Sequence, residues 1–264
     1  MLPRFAATAR LLAEPEGEPG LLVAATIARC VATLGIKPET AIGFESNIPR
    51  SVGLAGSSAI VIAVLRVVDQ AYELDLSAQQ ITTLAYQVER EDLGIAGGWQ
   101  DQVVQSRGVA ALMDFGEPIS HRALALPADP IPLYIAWRDA DAEASGESHA
   151  RLQASRDEPQ VRVVMAELAD VARNAADAIE KRDVHRLKES IDTTFDLRRS
   201  VMDVAPSHHG LVDTARAHGA CANFTGSGGS VLGVLPKAGD TFVEAMVGSG
   251  YEVMTFDLGE GLHQ

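Results

Sequence analysis

Basic residues are scarce in this chain. Lys and Arg number 22 against 36 Asp and Glu, which leaves a formal charge of −14. A nucleic-acid surface is usually basic, so that class is excluded. An acidic chain can still take an anionic small molecule where a few cations and backbone N–H groups converge. Cysteine is nearly absent: Cys30 and Cys221 are the only two. They support neither a disulfide framework nor a zinc site, and they fit a reducing, cytoplasmic setting. No apolar run is long enough to span a bilayer. The best, Leu21 to Leu34, is too short and is broken by Arg29. The first dozen residues hold Arg4 and Arg10 without an acid, but Glu14, Glu16 and Glu18 follow at once, which reads against a targeting segment. Repeats and low-complexity tracts are also missing.

What is present is enough apolar material for a sizeable core. Hydrophobic residues make up 47% of 264 positions, sufficient for one large domain or two small ones. Helical patterns fall at about Leu21–Leu34, Ser58–Tyr72, Gln79–Glu91 (with Ser77 as N-cap), Gln160–Lys181, Asp183–Met202, Gly210–His218 and Asp240–Gly248. Strand patterns fall at Ala41–Ser46, Gly108–Phe115, Leu133–Trp137, Ala220–Thr225, Val231–Leu235 and Tyr251–Asp257. The mixture predicts an α+β protein. Pro127, Pro130 and Pro132 crowd one stretch, and a domain boundary is placed there, between 1–129 and 130–264. The polar stretch Arg138 to Glu147 has the composition of a mobile active-site loop.

The most informative segment runs Pro49-Arg50-Ser51-Val52-Gly53-Leu54-Ala55-Gly56-Ser57-Ser58-Ala59 and leads into the apolar run from Ile60. Gly53 and Gly56 permit a close ligand approach or a positive φ. Ser57 and Ser58 fall where a helix has free N–H groups and the positive end of its dipole. A hydroxyl there can cap the helix, touch phosphate or bind Mg²⁺. The segment is not a P-loop, because no Gly-Lys-Ser/Thr ends it. Its glycine spacing is wrong for a dinucleotide fingerprint, and Gly-x-Ser-x-Gly is missing. An ordinary tight turn with a serine cap remains the plain alternative.

Two further clusters stand out. In Glu89 to Gln102, Glu89 closes a helix and Asp101 follows a glycine-rich loop. Carboxylates brought together this way can divide labour, one holding Mg²⁺ and the other serving a substrate hydroxyl. Glu91 and Asp92 read as a solvated helix end. The third cluster, Asn223 to Ser230, contains Gly226-Ser227-Gly228-Gly229 between two strands. It reads either as a hairpin turn or as a second backbone wall against a ligand. His208 and His209 make no metal pattern and read as a loop and helix start.

Together these residues resemble the GHMP kinases, the small-molecule kinases named for galactose, homoserine, mevalonate and phosphomevalonate. The resemblance rests on the Pro-x-x-x-Gly-Leu-x-x-Ser-Ser-Ala order, the glycine-rich loop ending in Asp101, and the late Gly-Ser-Gly-Gly turn. Within that family the chain resembles the glucuronokinases, through Asn47 to Arg50, Gly53 to Val61 with one extra residue before the serines, Gly94 to Val103, Gly108 to Phe115, Phe195 to Ser200 and Phe224 to Gly229. The resemblance implies two domains: an N-terminal one like ribosomal protein S5 domain 2, and a C-terminal ferredoxin-like one. It implies that Gly53, Leu54, Ala55, Gly56, Ser57, Ser58 and Ala59 wrap the phosphates of ATP, with Gly226, Ser227, Gly228 and Gly229 beneath. Ser58 and Glu89 would ligate Mg²⁺, and Asp101 would act as base or orienting group. The acceptor implied is a sugar or sugar acid, most simply the anomeric hydroxyl of glucuronate, giving the sugar 1-phosphate; the alternatives are a truncated, non-catalytic relative that binds nucleotide or a partner, and a GHMP kinase of another substrate class. Arg198 and Arg199 are candidates for a substrate carboxylate or, equally, surface and packing arginines. The family's first motif is not found, and the resemblance begins at about Gly20, roughly a quarter of a two-domain member's length in.

Overall fold

The computed structural model describes residues 7–10, 18–37, 43–95, 97–116, 118–138, 155, 157–202, 204–226 and 228–259. Compactness divides the chain into two units: Met1–Pro49 with Ala55–Gly108, and Arg50–Leu54 with Val109–Gln264. The glycine-serine segment is therefore shared out. Its first part counts with the second unit, and Ala55 opens a helix of the first. The prolines at 127, 130 and 132 lie within the second unit.

The first unit holds a two-stranded antiparallel ribbon, β1 (Ala7–Arg10) and β2 (Gly43–Ser46). Its helices are α1 (Glu18–Leu34), α2 (Gly56–Tyr72), α3 (Ala78–Gln87) and α4 (Gln100–Arg107). Helix α2 is the centre of the core. Ile60, Val61, Ile62, Val64, Leu65 and Val68 are buried, and they pack with Leu22, Val23 and Cys30 of α1 and Ile81, Leu84 and Ala85 of α3. Full burial of each aliphatic side chain contributes about 1.5–3 kcal/mol. Helix α3 begins with a capping box: the Ser77 hydroxyl accepts from Gln80 N–H, and Gln80 Oε1 accepts from Ser77 N–H.

Helix α3 does not run regularly to Glu91 as the pattern suggests. Its last turn widens into a π-turn over Val88–Asp92, closed by Leu93 N–H on the Val88 carbonyl. Arg29, which interrupts the apolar run of α1, has its partner here. Its guanidinium forks onto Asp92 at 2.9 and 2.6 Å and reaches Glu91 at 3.1 Å. Glu91 and Asp92 thus pin the π-turn to α1 rather than forming a purely solvated end. Helix α4, unread in the sequence, is held by polar side chains: Ser106 pairs with Thr82, and Arg107 donates to Thr82 and Gln79 of α3.

The second unit contains the hairpin β3 (Ala111–Asp114) and β4 (Ser120–Ala123). It continues with β5 (Ile131–Trp137), α5 (Pro159–Glu180), α6 (Val184–Val201) and α7 (Pro206–Ala217). Then follow β6 (Asn223–Phe224), β7 (Ser230–Val234), α8 (Gly239–Gly248) and β8 (Glu252–Leu258). The four strands form one antiparallel sheet in the order β6-β7-β5-β8. Tyr134 crosses this sheet over its register partner Gly233 and donates to the Cys221 carbonyl at 2.8 Å. A Cβ on Gly233 would lie 1.9 Å from that carbonyl and 2.5 Å from the Tyr134 ring, so only glycine fits. Arg216 bonds Asp192 and Asp196 of α6, and Asp192 also accepts Ala222 N–H. Of the polar stretch Arg138 to Glu147, all but Arg138 lies outside the described residues.

Cys30 and Cys221 are both buried and unbridged. Burial pushes the Cys30 thiol up to about 11. An acid raised in the folded state keeps its proton while the unfolded thiol ionises near pH 8.5, so this residue's contribution to stability declines as pH rises above about 8.5. The expected outcome with a thiol-labelling dye at pH 8 is reaction only at the rate of global unfolding. Labelling of either cysteine within the mixing time would contradict the burial.

Candidate functional site

The start of α2 is set by backbone conformation rather than by a serine cap. Ser51, Gly53 and Ala55 take φ of 58°, 74° and 54°, and Ala55 is the N-cap with no side-chain cap bond. Gly56, read as permitting a close ligand approach or a positive φ, is the first helical residue, and a Cβ there would make only ordinary contact with Ile48 at 3.6 Å. The left-handed residue at the N-cap is Ala55, whose conformation costs about 1–2 kcal/mol relative to glycine. Gln105 of α4 holds the turn by donating to the Ala55 carbonyl at 3.1 Å. The first N–H groups of α2, on Gly56, Ser57 and Ser58, have no intrahelical acceptor, whereas Ala59 N–H reaches Ala55.

Both serine hydroxyls turn to one carboxylate. Ser57 Oγ donates to Glu89 Oε1 and Ser58 Oγ to Glu89 Oε2, each at 2.7 Å. Glu89 sits in the π-turn, a device that re-aims a side chain without ending the helix. From the other side, Gln102 Nε2 donates to Glu89 Oε2 and lies 3.3 Å from Ser58 Oγ. Glu89 and Gln102 are each only 4% exposed. Among the described residues no Lys, Arg or His pairs with Glu89, so a buried negative charge rests on three neutral donors. Isolated burial of a carboxylate is costly unless a cation answers it. Presenting Nε2 to the carboxylate turns Gln102 Oε1 away, and that buried oxygen has no partner among the described residues. An unsatisfied buried acceptor costs about 1–3 kcal/mol.

This donor set suits a hard divalent cation. It offers a carboxylate and two hydroxyl oxygens at a helix N-terminus. A single carboxylate would leave the remaining positions to water and substrate oxygens, as Mg²⁺ prefers. Ser58 and Glu89, the pair the resemblance implies for Mg²⁺, lie side by side, with Ser57 next to them. Among the described residues no cluster of three His, Cys, Asp or Glu side chains could replace it. Asp101 lies in the first turn of α4, half-buried, immediately before Gln102. Trp99, the residue that opens α4, stacks flat on Tyr86 of α3 at 3.9 Å and 6°. That stack anchors the turn carrying Asp101. Gln102 was not recognisable in the sequence, being one polar residue in a polar stretch.

In the second unit the other two expected segments meet. Ser230 Oγ donates to the Val52 carbonyl at 2.6 Å, and Thr225 Oγ1 reaches it at 3.4 Å. A Cβ on Gly53 would lie 2.4 Å from the Thr225 carbonyl oxygen and 2.6 Å from that of Gly228. A Cβ on Gly229 would lie 2.7 Å from Val52 Cα, and one on Gly226 2.9 Å from the Gly53 carbonyl oxygen. Backbone meets backbone here, which accounts for the glycines. Ser227 is outside the described residues. Arg198 donates to the carbonyls of Phe224 and Gly226 at 3.1 and 2.7 Å, so its guanidinium braces this turn. Burial lowers its pKa from the usual arginine value. Arg199 faces Asp196 at 3.5 Å. His208 is buried in α7 beside the Phe224 ring, not in a loop.

Opposite outcomes are expected for two loop substitutions. Ala55→Gly relieves the left-handed strain and stabilises by about 1 kcal/mol, or roughly 2–4 °C in Tm. Gly53→Ala drives a Cβ into two carbonyls and lowers Tm by more than that. Calorimetry of both variants checks this, and a lower Tm for Ala55→Gly would contradict it. In buffer without divalent cations, Glu89→Gln removes an unanswered buried charge, so its Tm is expected to equal or exceed the parent's. A fall of several degrees would show that the charge is compensated.

Residues 21–109 match the family described as GHMP kinases N terminal domain. A probable glucuronokinase 2 of Arabidopsis thaliana is 32% identical over 211 residues, covering 74% of this chain and 57% of that protein. Glucuronokinase 1 of the same plant is 30% identical over 212 residues, with the same coverage. The chain thus spans under two thirds of the length of these relatives. Among solved structures, Methanococcus jannaschii mevalonate kinase superposes with a TM-score of 0.74 at 18% identity, covering 90% of this chain and 75% of that one. At that identity the likeness concerns the fold alone. Residues 21–109 are thus similar to the N-terminal domain of the GHMP kinases, and the fold over most of the chain is similar to that of a mevalonate kinase.

Proposed function

We propose that this chain is an ATP-dependent small-molecule kinase of the GHMP type, acting on the anomeric hydroxyl of glucuronate or a related sugar to give the sugar 1-phosphate. One observation carries the reading: the buried Glu89 carboxylate bridged by Ser57 and Ser58 at the N-terminus of α2, with no basic partner among the described residues. In this reading Gly53, Leu54, Ala55, Gly56, Ser57, Ser58 and Ala59 bind the ATP phosphates, with the free N–H groups of α2 as donors. Gly226, Gly228 and Gly229 support Val52 and Gly53 from beneath, and Ser227 keeps the cofactor-binding assignment that the resemblance implies for this turn. Ser58 and Glu89 hold Mg²⁺, joined by Ser57. The bound ion supplies charge neutralisation for the transferring phosphoryl group. Asp101 orients the acceptor hydroxyl and accepts its proton as the new P–O bond forms and the bond from the γ-phosphorus to the departing ADP oxygen breaks.

The finer fold reading belongs here as well. The second unit runs β-α-β-β-α-β through β5, its helices, β6, β7, α8 and β8, with sheet order β6-β7-β5-β8. That order supports a ferredoxin-like C-terminal domain. The first unit is read as the counterpart of ribosomal protein S5 domain 2. No helix of the described residues is long and apolar enough to cross a membrane. A small-molecule partner in a cytoplasmic setting fits the two buried, unbridged thiols.

Glucuronate is proposed from the names of the two plant relatives. A second acceptor class is retained because Arg198, a candidate for the uronate carboxylate, is committed to backbone carbonyls. An acceptor without that carboxylate, such as another sugar, a heptose phosphate or mevalonate, needs no such cation.

Turnover of the whole chain with ATP and Mg²⁺ is measured against glucuronate, galacturonate, galactose, a heptose phosphate and mevalonate. Glucuronate is expected to give the highest kcat/KM, and turnover with no sugar would remove the acceptor assignment. Asp101→Asn is expected to lower kcat by about 10²–10⁴-fold, while ATP affinity by calorimetry stays within twofold. Unchanged turnover would contradict the role given to Asp101.

A further inference from the structure

The cation reading leaves one residue unexplained. Gln102 is buried as deeply as Glu89, its Nε2 is spent on Glu89 and Ser58, and its Oε1 has no partner among the described residues. A core position selected for stability alone would carry an apolar side chain, which leaves no orphaned acceptor. It could also carry lysine, which would answer the Glu89 charge outright. Glutamine does neither. It aligns the carboxylate through an uncharged N–H and leaves the negative charge in place.

From this we infer that Gln102 is the positioning residue of the cation site. Its amide fixes the plane of the Glu89 carboxylate and the rotamer of Ser58, so that both oxygens are presented together while the site keeps its full charge. The inference rests on the proposed cation site and adds a residue to it. Three features agree on this role. Helix α4 places Gln102 next to Asp101 in sequence, so the group that sets the metal-side carboxylate and the proposed proton acceptor share one rigid turn. That helix is tied at both ends, by Trp99 on Tyr86 and by Arg107 on Thr82 and Gln79. Gln105, one turn on from Gln102, holds the Ala55 carbonyl at the start of α2. Hydrogen-bonding partners of metal ligands commonly alter metal affinity by about 10–100-fold when removed.

The test uses Mn²⁺ as the probe, its free concentration read by electron paramagnetic resonance with the whole chain and a non-hydrolysable ATP analogue. Gln102→Met keeps the volume and removes the donor and the stranded acceptor. It is expected to weaken Mn²⁺ binding by about 10–100-fold, with Tm equal to or above the parent's. Gln102→Lys is expected to raise Tm and remove Mn²⁺ binding, because its ammonium occupies the charge that the ion would use. This second variant keeps the test open should Gln102→Met fold poorly. Parental Mn²⁺ affinity in a folded Gln102→Met, or in Gln102→Lys should the former not fold, would overturn the inference. Glu89→Gln separates the two layers. If it weakens Mn²⁺ and Gln102→Met does not, only the role of Gln102 fails. If Glu89→Gln binds Mn²⁺ as the parent does, the cation site itself fails and the inference falls with it.

Discussion

A single buried carboxylate organises the first unit. Glu89 would be expelled to solvent in an ordinary helix end, since an unpaired charge in the core is among the costliest placements available. Here three elements are arranged to keep it inside. The π-turn re-aims it, the first turn of α2 supplies two hydroxyls, and α4 supplies one amide. None of these donors carries charge. The arrangement is therefore stable enough to persist but incomplete as an electrostatic pair. In the proposed reading that incompleteness is what a cation would answer, as Arg29 answers Asp92. The nearby Arg29–Asp92 fork, on the same turn, shows the complete kind.

The second unit imposes a different constraint, of space rather than charge. Arg50 to Leu54 lies against the β6–β7 turn so closely that any Cβ on Gly53 or Gly229 would overlap backbone atoms. Two hydroxyls and the Arg198 fork then fasten the carbonyls on either side. The segment that leads into α2 is thus fixed by main-chain packing, which tolerates little adjustment. In the proposed reading such order lowers the conformational entropy lost when phosphate binds.

Much of this was legible in the sequence, for identifiable reasons. Helix α2 was readable because a long apolar run follows a Gly-Ser loop, and the strands β5, β7 and β8 because β-branched and aromatic residues cluster between turn residues. The pairing of Ser58 with Glu89 followed from family resemblance, and the structure brings those two side chains together. What escaped was polar. Helix α4 has the sequence Gln-Asp-Gln-Val-Val-Gln-Ser-Arg, with no apolar stripe to announce it, and is held by hydrogen bonds from Gln102, Gln105, Ser106 and Arg107. The π-turn leaves no compositional trace. Ala55, rather than a glycine, occupies the left-handed position because packing and the Gln105 bond over-determine the turn. Gln102 was invisible for the same reason as its helix, since a hydrogen-bonding role depends on neighbours distant in sequence.

The most direct measurement is the anomalous scattering of Mn²⁺ in crystals of the chain grown with a non-hydrolysable ATP analogue. The peak is predicted beside Glu89 Oε2 and Ser58 Oγ, at the coordination distance of about 2.1 Å typical of a small divalent ion, with the serine hydroxyls turned from the carboxylate toward the ion. A peak on the phosphates alone, with Ser57 and Ser58 still donating to Glu89, would contradict a cation site at that carboxylate.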